Sequence, residues 1–355
     1  MSLWTIHLTG ARLTIRQGTL TLQVQGTVVA QKPVHEVSEV HLYGEVDLTA
    51  DARNLLAAHG VDVLFFTGAG TYRGRFISAE SSQGDRRIAQ YRYMTDPVLA
   101  QRLAAAIIQG KVLNQRQFLA RMARDAADST FASRVAALKL IAQRVPTAAD
   151  MNTLRGFEGL AARHYFEGIS LGLRNPDFEF RGRNRRPPRD PVNACLSFGY
   201  TLLLRKMESA VRATGLDPYI GVLHETGRGA PCLALDLMEE FRPIIVDRLV
   251  MRLFNRRQLS TADFGSPDVN IARASEPFTP ERDDGAEPTG AVYMLESGRK
   301  TFLAEWAALW RQLYPSEARA NARFELNEII RIQALQVAAL VEARQEIYLP
   351  FRIPG

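Results

Sequence analysis

The hydrophobic period of this chain changes partway along, and that change sets the kind of fold it can reach. Through residue 84 the apolar side chains alternate or cluster in short β-branched runs between Gly and Pro punctuation: Arg12 to Ile15, Thr19 to Val24, Thr27 to Pro33 and Val37 to Leu42. One helix interrupts them, ADARNLLAAHG, with Thr49 or Asp51 as N-cap and Gly60 as its stop. VDVLFF, Val61 to Phe66, reads as a buried strand from its unbroken apolar run, and TYRGRFIS reads as another. From about Asp85 the period becomes 3.6. A long amphipathic helix starts at Asp96 with Pro97 in its first turn, and FASRVAALKLIAQRV, TLRGFEGLAARHYFEGIS, ACLSFGYTLLLRKMESAVRATG, FRPIIVDRLVMRLFNRR and FELNEIIRIQALQVAALVEARQ follow the same pattern. The expected fold class is α+β: a small β-rich N-terminal domain, residues 1–84, a linker at 85–95, and a larger all-α domain, 96–355. Residues 274–290 read as a polar loop, and 256–300 carry little signal.

No apolar run approaches the ~18–20 residues needed to cross a bilayer. The start, MSLWTIHLTGARLTI, lacks the basic and apolar regions of a signal peptide, so the expectation is a cytoplasmic protein with no membrane association. Cys195 and Cys232 are too few for a disulfide framework or a cysteine zinc site and read as small buried hydrophobes. The net charge of +6 says little until one asks where the basic residues gather.

The stretch LHETGRGAPCLALDLMEEFRP, residues 223–243, sets His224 before a flexible segment and two acids at helical spacing, Asp236 and Glu239. Two carboxylates three apart share a helix face and destabilise it unless a cation or proton offsets them; Arg242 is one such cation. The plainer alternative is an Asp cap with a Glu–Arg surface pair, and His224 as a structural histidine. Glu158 in LRGFEGLAARHYF, amid apolar flanks, is the third candidate ligand, while Glu167 faces the opposite side of that helix. One histidine with two or three carboxylates suits Mg²⁺ or Mn²⁺ better than structural zinc. Between the acid-bearing segments, Arg181, Arg183, Arg185, Arg186 and Arg189 crowd an arm stiffened by Pro187 and Pro188. Guanidinium forks match phosphate, so the arm is a candidate phosphate-binding segment, with a solvated loop as the alternative, and Tyr200 and Asn193 beyond it are candidates to position substrate or else ordinary helix residues.

VHEVSEVHLYGEVDLT, GVDVLFFTGAGTYRGRF, LRGFEGLAARHYF, RRPPRDPVNACLSFGYTLL and the 223–243 stretch, in this order and spacing, resemble the CRISPR-associated spacer-acquisition integrase and endonuclease, the Cas one family. The resemblance runs nearly end to end. It implies a homodimer formed through the strand-rich N-terminal domain, and a divalent metal held by Glu158, His224 and Glu239 in an α-helical catalytic domain. Glu239 stands where many members have Asp. Asp236 matches the neighbouring acid, as a supporting residue or second-metal ligand. It further implies double-stranded DNA substrates, a spacer precursor and the CRISPR repeat, and a small ferredoxin-like CRISPR-associated partner. The implied reaction is attack of a 3′-hydroxyl on a phosphodiester. A structure-selective DNase without joining activity and a non-catalytic DNA-binding scaffold are the competing readings.

Overall fold

A computed structural model describes residues 2–68, 70–78, 83–124, 129–184, 187–224, 229–265 and 290–353. The chain divides into two compact units: residues 1–80 with 265–289 and 293–300, and residues 81–264 with 290–292 and 301–355. Apart from Gly290, the loop expected over 274–290 lies outside the described residues.

In the first unit, β2 (Ala11–Arg16), β3 (Thr19–Val24) and β4 (Thr27–Lys32) form an antiparallel meander. Its two hairpin turns are Gln17-Gly18 and Gln25-Gly26, with positive φ at all four residues. That is the type I′ geometry whose twist matches the flanking strands, and Gly supplies it without strain. A short strand, β6 (Val46–Leu48), adds in parallel to β2. The second sheet has the order β1 (Ser2–Ile6), β5 (Val37–Tyr43), β7 (Asp62–Phe66), β8 (Tyr72–Phe76), parallel except for β8. Strand β5, central and flanked on both sides, is buried along almost its whole length. Helix α1 (Ala50–Ala58) starts where Thr49 Oγ1 accepts the Ala52 N–H, as its sequence signal predicts. Trp4, Leu13, Leu22, Val40, Leu56 and Val63 are buried in one core. Strands β1 and β6 were not expected; each is too short to show a period.

The second unit is largely helical: α2 (Gly84–Thr95), α3 (Pro97–Arg124), α4 (Ser129–Arg144), α5 (Met151–Leu171), α6 (Pro191–Ala213), α7 (Cys232–Met238) and α8 (Arg248–Asn255). Then come α9 (Glu296–Leu309), which begins among residues of the first unit, a hairpin of β9 (Leu313–Ser316) with β10 (Ala322–Glu325), and α10 (Leu326–Val341). The expected linker, 85–95, is helical and lies within α2. Its polar composition hides the period, because the residues that anchor it are Met94 and a glutamine, both buried. The Gln90 side chain donates to the carbonyls of Asp217 and Ile220 (2.8 and 2.9 Å) and accepts the Asp217 N–H. The long helices begin at aspartates: Asp96, Asp150 and Asp190 each accept N–H groups of the first turn. No helix among the described residues is long and apolar enough to cross a membrane.

The segment 348–353 packs against α3 and α10 through polar groups. Asn114 on α3 donates to the carbonyls of Glu240 and Phe351 (2.9 and 2.8 Å), and Glu240 takes bonds from Tyr348, Gln333 and the Phe351 N–H. Burial pushes the Glu240 carboxyl up to about 8 in spite of those donors. The folded protein therefore binds more protons than the unfolded chain between the usual 4.5 and about 8. Glu240's contribution to stability is greatest below that window and falls as pH rises through it. Glu240→Gln removes the titrating group, so the fall in thermal stability between about pH 5 and 8 is expected to flatten. Each pH unit is worth up to about 1.4 kcal/mol, which thermal unfolding across pH resolves.

Candidate metal centre and its basic surround

Helix α7 ends at Met238, so Asp236 sits on its last turn and Glu239 just beyond it. The following FRPIIVDRLV reads from sequence as an ordinary helix, but Pro243–Asp247 is a π-helix that passes into α8. Pro243 has no N–H to return to Glu239, and a widened turn accommodates the loss. The two acids are as buried as the apolar residues around them: Asp236 is 0% and Glu239 2% exposed, against 0% for Leu237 and 1% for Ile244. The surface-pair reading is thereby set aside.

Asp236 is saturated by the chain itself. Its Oδ2 accepts the N–H groups of Val222 and Leu223 (2.6 and 3.1 Å), and its Oδ1 accepts His224 N–H (3.0 Å) and His224 Nδ1 (2.7 Å). Gly221 makes this approach possible, since a Cβ there would stand 2.4 Å from Asp236 Oδ2. Four donors leave Asp236 no free lone pair for a second metal. Its task is to fix the 222–224 backbone and the imidazole ring. With Nδ1–H given to Asp236, Nε2 is the nitrogen presented to a ligand.

That Nε2 lies 3.9 Å from Glu239 Oε1. The same oxygen pairs with Arg242 Nη2 at 3.1 Å, one turn on. The other oxygen, Glu239 Oε2, faces Lys111 Nζ at 2.7 Å, and Lys111 donates to Glu158 Oε1 at 2.6 Å. Glu158, on α5, is about one-third exposed, with its side chain at 32%. Glu167 is more exposed and pairs with Arg134 at 3.2 Å. Lys111, on α3, is thus the joint between Glu158 and the Asp236–His224–Glu239 group. Burial alone disfavours a charged Glu239, but Arg242, Lys111 and His224 outweigh it and hold its carboxyl down at about 2. Burial likewise pulls Lys111 down, and Glu239 and Glu158 overcome that and hold it above the usual lysine value.

Among the described residues, no three His, Cys, Asp or Glu side chains stand close enough as placed to hold a metal ion, because the lysine lies between two of them. The donor set nevertheless fits one. Glu239 Oε2 is buried, and the partner it meets there is Lys111 Nζ at 2.7 Å. A buried, charged carboxylate whose oxygen is held by a lysine ammonium, opposite an imidazole whose tautomer is fixed, is a donor set that a hard divalent cation can bind.

Beside this group, two guanidinium groups lie over the Tyr200 ring, Arg242 at 4.8 Å and Arg183 at 5.4 Å from its centroid. Its hydroxyl donates to Asp247 (2.6 Å), which also accepts Tyr165 OH (2.7 Å). Burial raises the Asp247 carboxyl to about 6 despite those donors. The described part of the basic arm is tied down by Arg183 and by Asn184, whose N–H donates to Asn193 (3.0 Å) and whose side-chain oxygen accepts the Arg189 N–H (2.9 Å). Arg183 donates to Asn193 (2.7 Å) and Ser197 (3.0 Å), and Asn193, itself buried, holds Gly182 O (2.9 Å). Asn193 therefore fastens the arm to α6, and Tyr200 supports the site from within. Arg181 projects outward with 84% of its side chain exposed, paired to Glu179, and Arg189 is exposed as well. Arg185 and Arg186 lie outside the described residues. Arg181, Arg183, Arg134 and Arg163 line an open cavity of 620 Å³ with Phe166 and Glu167.

Sequence reasoning missed Lys111 and Asp247. Lys111 carries a signal: with Ala104, Ile107, Ile108, Gln115 and Phe118 it falls on the buried stripe of α3, where a lysine requires an acid partner. Asp247 carries none, since only the π-helix aims it at the tyrosines.

The family model for CRISPR associated protein Cas1 matches residues 5–275. The CRISPR-associated endonuclease Cas1 2 of Rhodospirillum rubrum is 37% identical over 297 residues, 81% of this chain and 80% of the relative. The CRISPR-associated endonuclease Cas1 1 of Thermus thermophilus is 36% identical over 349 residues, 98% of both chains. Among solved structures, a CAS1 protein from Thermotoga maritima shares the fold with a TM-score of 0.74 at 24% identity, over 96% of this chain and 97% of that one. A family match over most of the sequence and a relative matched over 98% of both chains agree, and the chain belongs to the CRISPR associated protein Cas1 family.

Proposed function

We propose that this chain is a metal-dependent DNA strand-transfer enzyme and endonuclease of CRISPR adaptation. The observation that supports the reading is that one lysine, Lys111, joins Glu158 (2.6 Å) to the buried Glu239 (2.7 Å), whose other oxygen lies 3.9 Å from His224 Nε2. Family membership supports it, as does the name endonuclease borne by relatives at 36–37% identity. Glu158, His224 Nε2 and Glu239 would hold one Mg²⁺ or Mn²⁺. When bound, such an ion stabilises charge on phosphoryl oxygens and lowers the pKa of an attacking hydroxyl.

The protein's own residues supply the rest. Asp236 holds His224 in one tautomer. Arg242, fixed over Tyr200 and paired with Glu239, adds positive charge beside the reacting phosphate. Arg181 and Arg189, exposed on the arm, bind backbone phosphates, which position DNA without reading its sequence. In the reaction, the 3′-hydroxyl of a DNA fragment forms a new P–O bond at a repeat phosphodiester. The old P–O bond breaks, and the displaced 3′-oxygen leaves as a hydroxyl with the proton the nucleophile gave up. Water in place of the 3′-hydroxyl gives cleavage. The working form on this reading is a homodimer acting with a small ferredoxin-like CRISPR-associated protein on spacer-precursor and repeat DNA, in the cytoplasm, with the strand-rich N-terminal domain at the dimer contact.

The test uses a labelled short duplex and supercoiled plasmid, with Mg²⁺, Mn²⁺ or EDTA, with and without the small partner. Label joined to plasmid only with metal is the expected result. Metal-dependent nicking or branched-DNA cutting without joining would identify a nuclease alone. DNA binding with no metal-dependent product would identify a scaffold.

A further inference from the structure

The two carboxylates proposed to share a metal ion already share a cation. Lys111 Nζ is 2.6 Å from Glu158 Oε1 and 2.7 Å from Glu239 Oε2, and the lysine side chain is only 9% exposed. Divalent Mg²⁺ binds carboxylate oxygens at about 2.0–2.1 Å. An ammonium nitrogen and such an ion cannot occupy the space between the same two oxygens together. The other cation on Glu239 has less freedom: the Arg242 guanidinium is held both by Glu239 at 3.1 Å and over the Tyr200 ring, 4.8 Å from its centroid. Lys111 has a flexible four-carbon stem and a compact charge, so it is the group able to withdraw.

We propose that Lys111 is a positioning residue that holds Glu158 and Glu239 together without metal and must give way when a divalent ion binds, so that it sets the affinity of the site. The inference rests on the metal-site reading above. In the metal-free protein the lysine keeps two like charges at short range from driving each other apart, and the ligands stay assembled. Against the ion it acts as an internal competitor. The lysine therefore stabilises the metal-free form and weakens metal binding, two effects of opposite sign that a purely structural lysine would not produce.

The test compares Lys111→Met with wild type in the full chain. Mn²⁺ binding is followed by the paramagnetic resonance of the free ion, and thermal unfolding is recorded in EDTA and in saturating Mn²⁺. Lys111→Gln, which can still donate to a carboxylate, serves as a second variant in case the methionine variant folds poorly. Glu239→Ala identifies which bound Mn²⁺ belongs to the site. The expected result is Mn²⁺ binding at least about tenfold tighter in either Lys111 variant, with a lower melting temperature in EDTA and a larger rise on adding Mn²⁺. If wild-type binding depends on Glu239 but the Lys111 variants bind equally or more weakly, the inference is overturned and the metal site stands. If wild-type binding does not depend on Glu239, the metal-site reading fails and takes the inference with it.

Discussion

Glu239→Ala is expected to lower metal-dependent strand transfer by at least about a thousandfold, which corresponds to some 4 kcal/mol of transition-state stabilisation. Glu239 faces both cations of the group and its imidazole: Arg242 at 3.1 Å, Lys111 at 2.7 Å and His224 Nε2 at 3.9 Å. No neighbouring acid can substitute. Asp236 is saturated by four donors, and Glu240 points the other way, into bonds with Tyr348 and Phe351. Removing a buried carboxylate also leaves its partners uncompensated, at a cost of about 3–5 kcal/mol. Glu239→Gln is therefore the companion variant, since it keeps the shape and loses the charge. Joined product is measured alongside thermal unfolding. Transfer lost in both variants while the glutamine variant melts within a few degrees of wild type is the predicted pattern. Substantial transfer by a folded Glu239→Gln would show that another residue holds the ion.

Asp236→Ala is expected to damage stability more than any other single change in the site. It strips partners from the N–H groups of Val222, Leu223 and His224 at a position with 0% exposure. A buried donor left unsatisfied costs about 1–3 kcal/mol, and three of them give on the order of 5 kcal/mol. For a folding unit of this size about 2–4 °C accompanies each kcal/mol, so the melting temperature should fall by roughly 10 °C or more. Activity should drop with it, because His224 loses the bond that fixes its tautomer; loss of such a supporting carboxylate typically costs 10–100-fold in metal affinity. Gly221→Ala should disturb the same contact, since its added Cβ would stand 2.4 Å from Asp236 Oδ2 and 2.8 Å from backbone atoms of Cys232 and Leu233. A small stability loss on Asp236→Ala, with metal affinity intact, would mean that the 222–224 backbone finds other partners.

The parts of this fold that were legible in the sequence are those set by local chemistry. The meander of β2 to β4 shows its β-branched runs and its two Gln-Gly turns, and α1 shows its Thr49 cap. Strands β1 and β6 were not legible, because five and three residues are too few for a period to declare itself. Helix α2 was hidden because the residue that anchors it is Gln90, whose value lies in hydrogen bonds to residues 217 and 220 rather than in hydrophobicity. At the site, Glu158, His224, Asp236 and Glu239 could be named from residue type and spacing, whereas their division of labour could not. That division depends on which oxygen each backbone N–H reaches. The depth of Asp236 and Glu239 depends on tertiary packing, and the orientation of Asp247 on a π-helical turn around Pro243. Lys111 was legible in principle. A lysine on the buried stripe of a long helix calls for an acid, and the two acids it meets are 47 and 128 positions away.

The central claim is that Glu158, His224 and Glu239 hold one divalent ion, and it is tested most directly by locating that ion. Crystals of the full chain grown with Mn²⁺ would be measured at the manganese absorption edge. The expected result is a single anomalous peak in contact with Glu158, His224 Nε2 and Glu239, with Lys111 Nζ moved away from the two carboxylates and Asp236 still bonded to His224 Nδ1. A peak elsewhere, or none at saturating Mn²⁺ with Lys111 still between Glu158 and Glu239, would contradict it.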